Sequence, residues 1–127
     1  MVTSGHPPFD ERIYWKFGKS LSDAEYSVSI FCSTKKIDLV LDGIDIKGFD
    51  GVNYQKSKKI HELYNLLDRF NPDIIICSEM LTVFAALKFR KLHASTRIVL
   101  DITEWYPENV AFKFFAVKRW LKYLQLL

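Results

Sequence analysis

The sequence predicts an α/β fold: a Rossmann-like, open and mainly parallel sheet with helices on both faces. The first observation is a regular alternation of strand-like and helix-like segments along the chain. The second is a pair of β-branched runs without polar alternation, Ile74-Ile75-Ile76 and Ile98-Val99-Leu100, which are typical of strands buried on both faces. Right-handed crossovers between five such strands predict the spatial order 3-2-1-4-5.

The first half of the chain contains three of these strands and one helix. Residues 1–4 resemble the end of a strand and are followed by a break at residues 5–8, Gly-His-Pro-Pro. Asp10 is a good N-cap for a helix that extends to residue 24. Residues 26–32 alternate as a strand does, and residues 44–48 are expected to form a short edge strand.

The second half repeats the alternation. Residues 53–70 place their apolar side chains on one face of an amphipathic helix, which Asn71-Pro72 ends. The strands at residues 73–78 and 97–102 are separated by an apolar helix at residues 79–93. Residues 111–127 are expected to form the last helix.

Length and composition indicate one globular domain that includes residues 1–127. The chain is 49% hydrophobic, 26% charged and 15% aromatic, and its formal charge is +3. Cys32 and Cys77 end strands that the predicted order does not make neighbours, so we expect both to be reduced. No segment is long and apolar enough for a membrane span, and the N-terminus lacks the features of a secretion signal, so a cytoplasmic location is expected.

Several polar side chains follow the predicted first, fourth and fifth strands. In a doubly wound sheet, ligands bind beyond the carboxyl ends of the strands, where the winding reverses. That point lies between strands one and four, so a polar ligand site is predicted there. Its candidate residues are His6, Asp10, Arg12, Glu79, Asp101, Thr103, Glu104 and Tyr106.

Each of these residues also has a simpler structural role. Asp10 can serve only as an N-cap, and Asp101 can hydrogen-bond within its own loop. Glu79 can complement the positive end of the next helix. Arg12 lies one turn into its helix, where a guanidinium can clamp a phosphate or a carboxylate.

The sequence lacks the motifs of dinucleotide-binding, triphosphate-binding and metal sites. The first loop has a single glycine followed by two prolines, which disfavours dinucleotide binding. The sequence contains no phosphate-binding Walker loop, no paired C-x-x-C and no H-E-x-x-H, and its three histidines are scattered. We therefore expect no metal and no cofactor, and we expect no nucleic-acid partner.

Three segments, taken in order, resemble family 4 glycosyltransferases of the bacterial polysaccharide type. Residues 3–13, Thr-Ser-Gly-His-Pro-Pro-Phe-Asp-Glu-Arg-Ile, are similar to the family's His-Pro-Pro loop and Asp-x-Arg-Ile helix start. Residues 77–81, Cys-Ser-Glu-Met-Leu, correspond to its short acidic loop. Residues 100–108, Leu-Asp-Ile-Thr-Glu-Trp-Tyr-Pro-Glu, resemble its Tyr-Asp-Val-His-Glu-x-Tyr-Pro segment, with Thr103 where the family usually has histidine.

The resemblance covers essentially the whole chain and implies one half of a GT-B fold. This half would orient a glycan or lipid-linked acceptor for sugar transfer from a nucleotide-sugar, with Glu104 or Asp10 as hydrogen-bonding groups and Arg12 near the phosphates. The donor domain, with its two glutamates eight positions apart, is expected to be missing, because no two glutamates of this sequence have that spacing. The chain is then expected to be inactive alone.

The predicted last helix is basic and aromatic. It contains Lys113, Lys118, Arg119 and Lys122 among six large aromatic and apolar side chains, with no acidic residue. Such a helix can lie on an anionic membrane surface, which would place the protein peripherally at the inner face. Alternatively its apolar side packs on the sheet and the lysines form only a solvated rim.

Two alternatives to sugar transfer remain open. The chain can be a flavodoxin-like or receiver-like binding module, although a receiver requires an acidic pair where this chain has His-Pro-Pro. It can also be a truncated remnant that acts by binding or by forming a homodimer through an exposed domain face.

Overall fold

The computed structural model describes residues 1–101, which form a six-stranded mixed sheet with helices on both faces. The strands are β1 (Val2–Thr3), β2 (Val28–Cys32), β3 (Ile37–Leu41), β4 (Ile44–Gly48), β5 (Ile74–Cys77) and β6 (Arg97–Leu100). Helix α1 has π-helical geometry over Glu11–Lys19 and ends in an α-helical turn, Ser20–Asp23. Helices α2 (Lys56–Phe70) and α3 (Met80–Arg90) are α-helical. The predicted last helix lies outside the described residues.

The spatial order of the strands is β3-β4-β2-β1-β5-β6. All pairings are parallel except β3 with β4, which is antiparallel. The predicted α/β class, the mainly parallel sheet and the helices on both faces are therefore confirmed. In particular, β1, β5 and β6 lie side by side and run parallel, as the predicted site requires.

The predicted five-strand order 3-2-1-4-5 is wrong for the sheet as a whole, because a sixth strand pairs at one edge. Strand β3 is joined to β4 by the two residues Asp42 and Gly43, whose φ angles of 52° and 75° are both positive. Two positive φ angles are the signature of a tight type I′ hairpin turn. Without β3, the five parallel strands lie in the order third, second, first, fourth, fifth along the chain.

The core has one apolar cluster on each face of the sheet. On one face, α2 and α3 contribute Leu63, Leu67 and Phe89 to the cluster around β1, β2 and β5. On the other face, Ile13 and Tyr14 of α1 pack against the isoleucines of β2 and β4. This arrangement places the N-terminus of α1 beside the carboxyl ends of the central strands.

The prediction that β5 and β6 are both buried on their two faces is wrong at some positions. Strand β6 lies at an edge of the sheet of residues 1–101, so it is not a second central strand. Its Val99 is 47% exposed, and Ile74 at the start of β5 is also half exposed. The two cysteines are free and buried, and β1 separates their strands, as predicted.

Candidate active site at the carboxyl ends of the central strands

The loops after β1, β5 and β6 converge at one edge of the sheet, as the sequence predicts. They bring together His6, Asp10, Arg12, Glu79 and Asp101, although up to 95 positions of sequence separate these residues. Thr103, Glu104 and Tyr106 lie outside the described residues, as do the membrane-surface candidates Lys113, Lys118, Arg119 and Lys122.

Glu79 ties the loop after β1 to the end of β5. Its Oε1 accepts hydrogen bonds from Thr3 Oγ1 at 2.9 Å and from the Gly5 amide at 3.2 Å. Its Oε2 accepts from the Ser4 amide at 2.8 Å and from Ser4 Oγ at 3.3 Å. Two carboxylate oxygens have about four acceptor positions, so these bonds fill them. Glu79 therefore positions the loop rather than presenting a free oxygen to a ligand.

His6 lies between two carboxylates. Its Nδ1 is 3.5 Å from Asp10 Oδ2, and its Nε2 is 3.7 Å from Glu79 Oε1. The backbone carbonyl of His6 accepts a hydrogen bond from Thr34 Oγ1 at 3.1 Å, which fixes the loop from the side of β2. The ring itself is 43% exposed, so it remains accessible to a molecule in the pocket.

Asp10 has both of the roles that the sequence suggests. Its Oδ1 accepts from the backbone amides of Arg12 at 2.9 Å and Ile13 at 3.3 Å, which is the geometry of an N-cap. Its other oxygen, Oδ2, faces His6. One carboxylate thus starts helix α1 and orients the imidazole beside it.

Arg12 pairs with Asp101 at the carboxyl ends of the parallel strands. Its Nε donates to Asp101 Oδ2 at 2.6 Å, and its Nη2 donates to Asp101 Oδ1. The hydrogen bond to Asp101 raises the pKa of Arg12, so the guanidinium stays charged. Because a bidentate carboxylate already occupies one edge of the guanidinium, a phosphate would have to compete with Asp101 for it.

These residues enclose a pocket of about 260 Å³. Among residues 1–101, its lining includes His6, Asp10, Glu11, Arg12, Ile13, Lys16, Ser78 and Asp101. Its cations have carboxylate partners, because Arg12 pairs with Asp101 and Lys16 Nζ lies 3.1 Å from Glu11 Oε1. The lining therefore offers balanced hydrogen-bond donors and acceptors rather than a positive charge.

Ser78 lies in a loop that the sequence places at this edge, but it is not among the predicted site residues, and neither are Glu11, Ile13 and Lys16, which also line the pocket. Ser78 is 2% exposed, and within residues 1–101 its Oγ is the buried side-chain polar atom that has no hydrogen-bond partner. The available signal was its position, since a serine directly after a buried strand comes to the carboxyl edge of a parallel sheet.

A second, larger groove of about 750 Å³ lies between the β3–β4 hairpin and the C-terminal part of α2. It is lined by Phe31, Ile37, Gly48, Leu66 and Phe70 and by charged residues of both signs. None of the sequence-predicted site residues lies in it. The carboxyl-edge pocket is therefore the better candidate.

Within residues 1–101, no cluster of three or more His, Cys, Asp or Glu side chains could hold a metal ion. No helix in that part of the chain is both long and apolar enough to cross a bilayer.

No protein-family model, no curated protein and no solved structure matches the chain.

Proposed function

We propose that this chain is the acceptor-side domain of a family 4 glycosyltransferase of GT-B architecture. One observation carries the proposal: residues from all three segments that resemble that family meet in one pocket. His6 and Arg12 come from the first segment, Ser78 from the second and Asp101 from the third. The pocket lies beyond the carboxyl ends of parallel strands, where doubly wound folds bind ligands.

The order of the five parallel strands supports the Rossmann-like part of the proposal. A flavodoxin-like sheet has the order 2-1-3-4-5. Here the first strand of the chain is central, and the second and third parallel strands follow it to one side. This order favours the glycosyltransferase interpretation over a flavodoxin-like or receiver-like module.

In this proposal the pocket orients an acceptor hydroxyl towards an activated sugar. The His6 ring, between Asp10 and Glu79, is the group best placed to hydrogen-bond that hydroxyl. The nucleotide-sugar and its diphosphate would be bound by a donor domain outside these 127 residues. The acceptor is a glycan or a lipid-linked sugar, and the basic residues 113–122 would contact the cytoplasmic face of a membrane that carries it.

Binding measurements on the 127-residue chain test the proposal. The ¹⁵N-labelled protein is titrated with methyl glycosides of common hexoses and, separately, with nucleotide-sugars. We expect the amides of Gly5, His6 and Glu79 to shift with a glycoside, while the amides of β3 stay unchanged. His6→Ala should weaken the binding, whereas His61→Ala, in the exposed part of α2, should not.

Two results would contradict the proposal. One is the lack of any glycoside-dependent shift at millimolar concentrations. The other is tight binding of a nucleotide-sugar in this pocket, because that ligand belongs to the donor side of a GT-B enzyme.

A further inference from the structure

Ser78 is exceptional among the buried serines of the structure. Serine hydroxyls usually bond to nearby backbone, and Ser33 does so: it is fully buried, and its Oγ donates to the Ser4 carbonyl at 3.1 Å. Ser78 is 2% exposed and has no such bond. A buried hydroxyl without a partner destabilises the folded protein, so its place at a pocket needs an explanation.

The neighbours of Ser78 cannot supply the missing bond. The Glu79 carboxylate next to it is filled by donors from Thr3, Ser4 and Gly5. The Asp101 carboxylate on the other side of the pocket is engaged by the guanidinium of Arg12. Ser78 thus lies in the lining of the pocket, and the carboxylates of Glu79 and Asp101 beside it are already engaged.

The charge balance of the pocket indicates what kind of molecule would supply the missing hydrogen bond to Ser78. Within residues 1–101 the lining has three carboxylates, Asp10, Glu11 and Asp101, and two cations, Arg12 and Lys16, so a phosphate or carboxylate would meet an excess of negative charge. An uncharged ring with several hydroxyls meets no such repulsion, and each of its hydroxyls can both donate and accept. The volume of about 260 Å³ suits a single sugar ring rather than an oligosaccharide.

We infer that Ser78 is a binding residue that hydrogen-bonds a hydroxyl of an uncharged sugar ring in this pocket. The inference rests on the proposed function and deepens it, since it adds a contact residue and restricts the acceptor moiety to an uncharged one. Ser78 Oγ and the ring of His6 would then hold the same sugar from the floor and the rim of the pocket.

The first test compares stability without ligand. Ser78→Ala removes a hydroxyl that has no partner, so the urea midpoint should stay the same or rise. Ser33→Ala removes a bonded hydroxyl from a similarly buried site, so its midpoint should fall. An equal fall for Ser78→Ala would overturn the inference, because it would show that Ser78 already has a partner, such as an enclosed water.

The second test measures binding of methyl glycosides by calorimetry. Ser78→Ala should weaken the binding of the tightest glycoside about tenfold or more, because the sugar hydroxyl would lose its hydrogen bond and would be left buried without a partner. Ser57→Ala, at an exposed position of α2, is the matched control and should bind as the wild type does.

The outcomes separate this inference from the proposed function. Equal glycoside binding by wild type and Ser78→Ala overturns the role of Ser78 and leaves the proposed function intact. If the protein binds inorganic phosphate and no glycoside, the inference that the ligand is uncharged is wrong. If the wild type binds no glycoside at all, the proposed function fails, and this inference fails with it.

Discussion

Replacing Glu79 by glutamine tests the contact that builds the candidate site. The glutamate joins β5 to the loop after β1 through four accepted hydrogen bonds. Glutamine keeps the size and shape of the side chain, but it exchanges one accepting oxygen for an NH₂ group. That group then faces donors in whichever orientation the amide adopts.

The two orientations differ in cost. If the NH₂ replaces Oε2, it points at the Ser4 amide, which is partly buried. If it replaces Oε1, it points at the Gly5 amide, which is exposed and can bond to water instead, while the Thr3 hydroxyl can rotate to accept. The second orientation is therefore preferred. It loses one hydrogen bond and changes the other three from charged to neutral, which together cost at least about 2 kcal/mol.

Urea unfolding followed by circular dichroism measures this change. The matched control is Glu62→Gln on α2, whose carboxylate makes no hydrogen bond or ion pair within residues 1–101; its effect should stay within about 0.5 kcal/mol. The amide shift of Gly5 should change in Glu79→Gln and not in the control. If Glu79→Gln is as stable as its control, the carboxylate does not hold the loop and the reasoning is refuted.

Three further perturbations have expected outcomes. Burial, together with the hydrogen bond that its hydroxyl donates to Asp42, raises the pKa of Tyr14 to about 12. Because this folded-state pKa lies above the unfolded value near 10, the stabilisation that the neutral Tyr14 hydroxyl contributes is complete below pH 10 and is lost as the pH rises towards 12. The urea midpoint should therefore fall over this pH range, and it should fall less in Tyr14→Phe. Gly48→Ala would place its Cβ within van der Waals overlap of Cys32 Sγ, and we expect a loss of about 1–3 kcal/mol in urea unfolding; a change near zero would refute the packing. Burial raises the pKa of Cys77 to about 11, so Ellman's reagent at pH 8 should react with it only as fast as the protein unfolds, and rapid reaction of the folded protein would contradict its burial.

The part of the site that the sequence could predict depends on backbone topology. The carboxyl ends of neighbouring parallel strands always meet at one edge, so residues after β1, β5 and β6 had to converge once the strands were identified. The N-cap role of Asp10 was equally local, because it needs only the amides two and three positions ahead. Both features follow from short stretches of sequence and a general rule.

The features that the sequence did not reveal depend on tertiary detail. Strand β3 is largely exposed, so it lacks the buried pattern that identifies a strand, and only Asp42-Gly43 signals its hairpin. The turn is held by α1, since Ser22 Oγ donates to the Asp42 carbonyl at 3.1 Å. The choice of Asp101 as the partner of Arg12 spans 89 positions and follows from how α1 crosses the sheet edge. No local pattern encodes such a pairing.

The network around Glu79 also gives a structural reason why this edge does not suit a dinucleotide. In a dinucleotide-binding fold, backbone amides of the first loop and the following helix receive the pyrophosphate. Here the amides of Ser4 and Gly5 donate to Glu79, and the first amides of α1 donate to Asp10. The protein's own carboxylates thus occupy the positions that phosphate oxygens would take. A ligand that enters this pocket would use the remaining groups of the lining, such as the His6 ring.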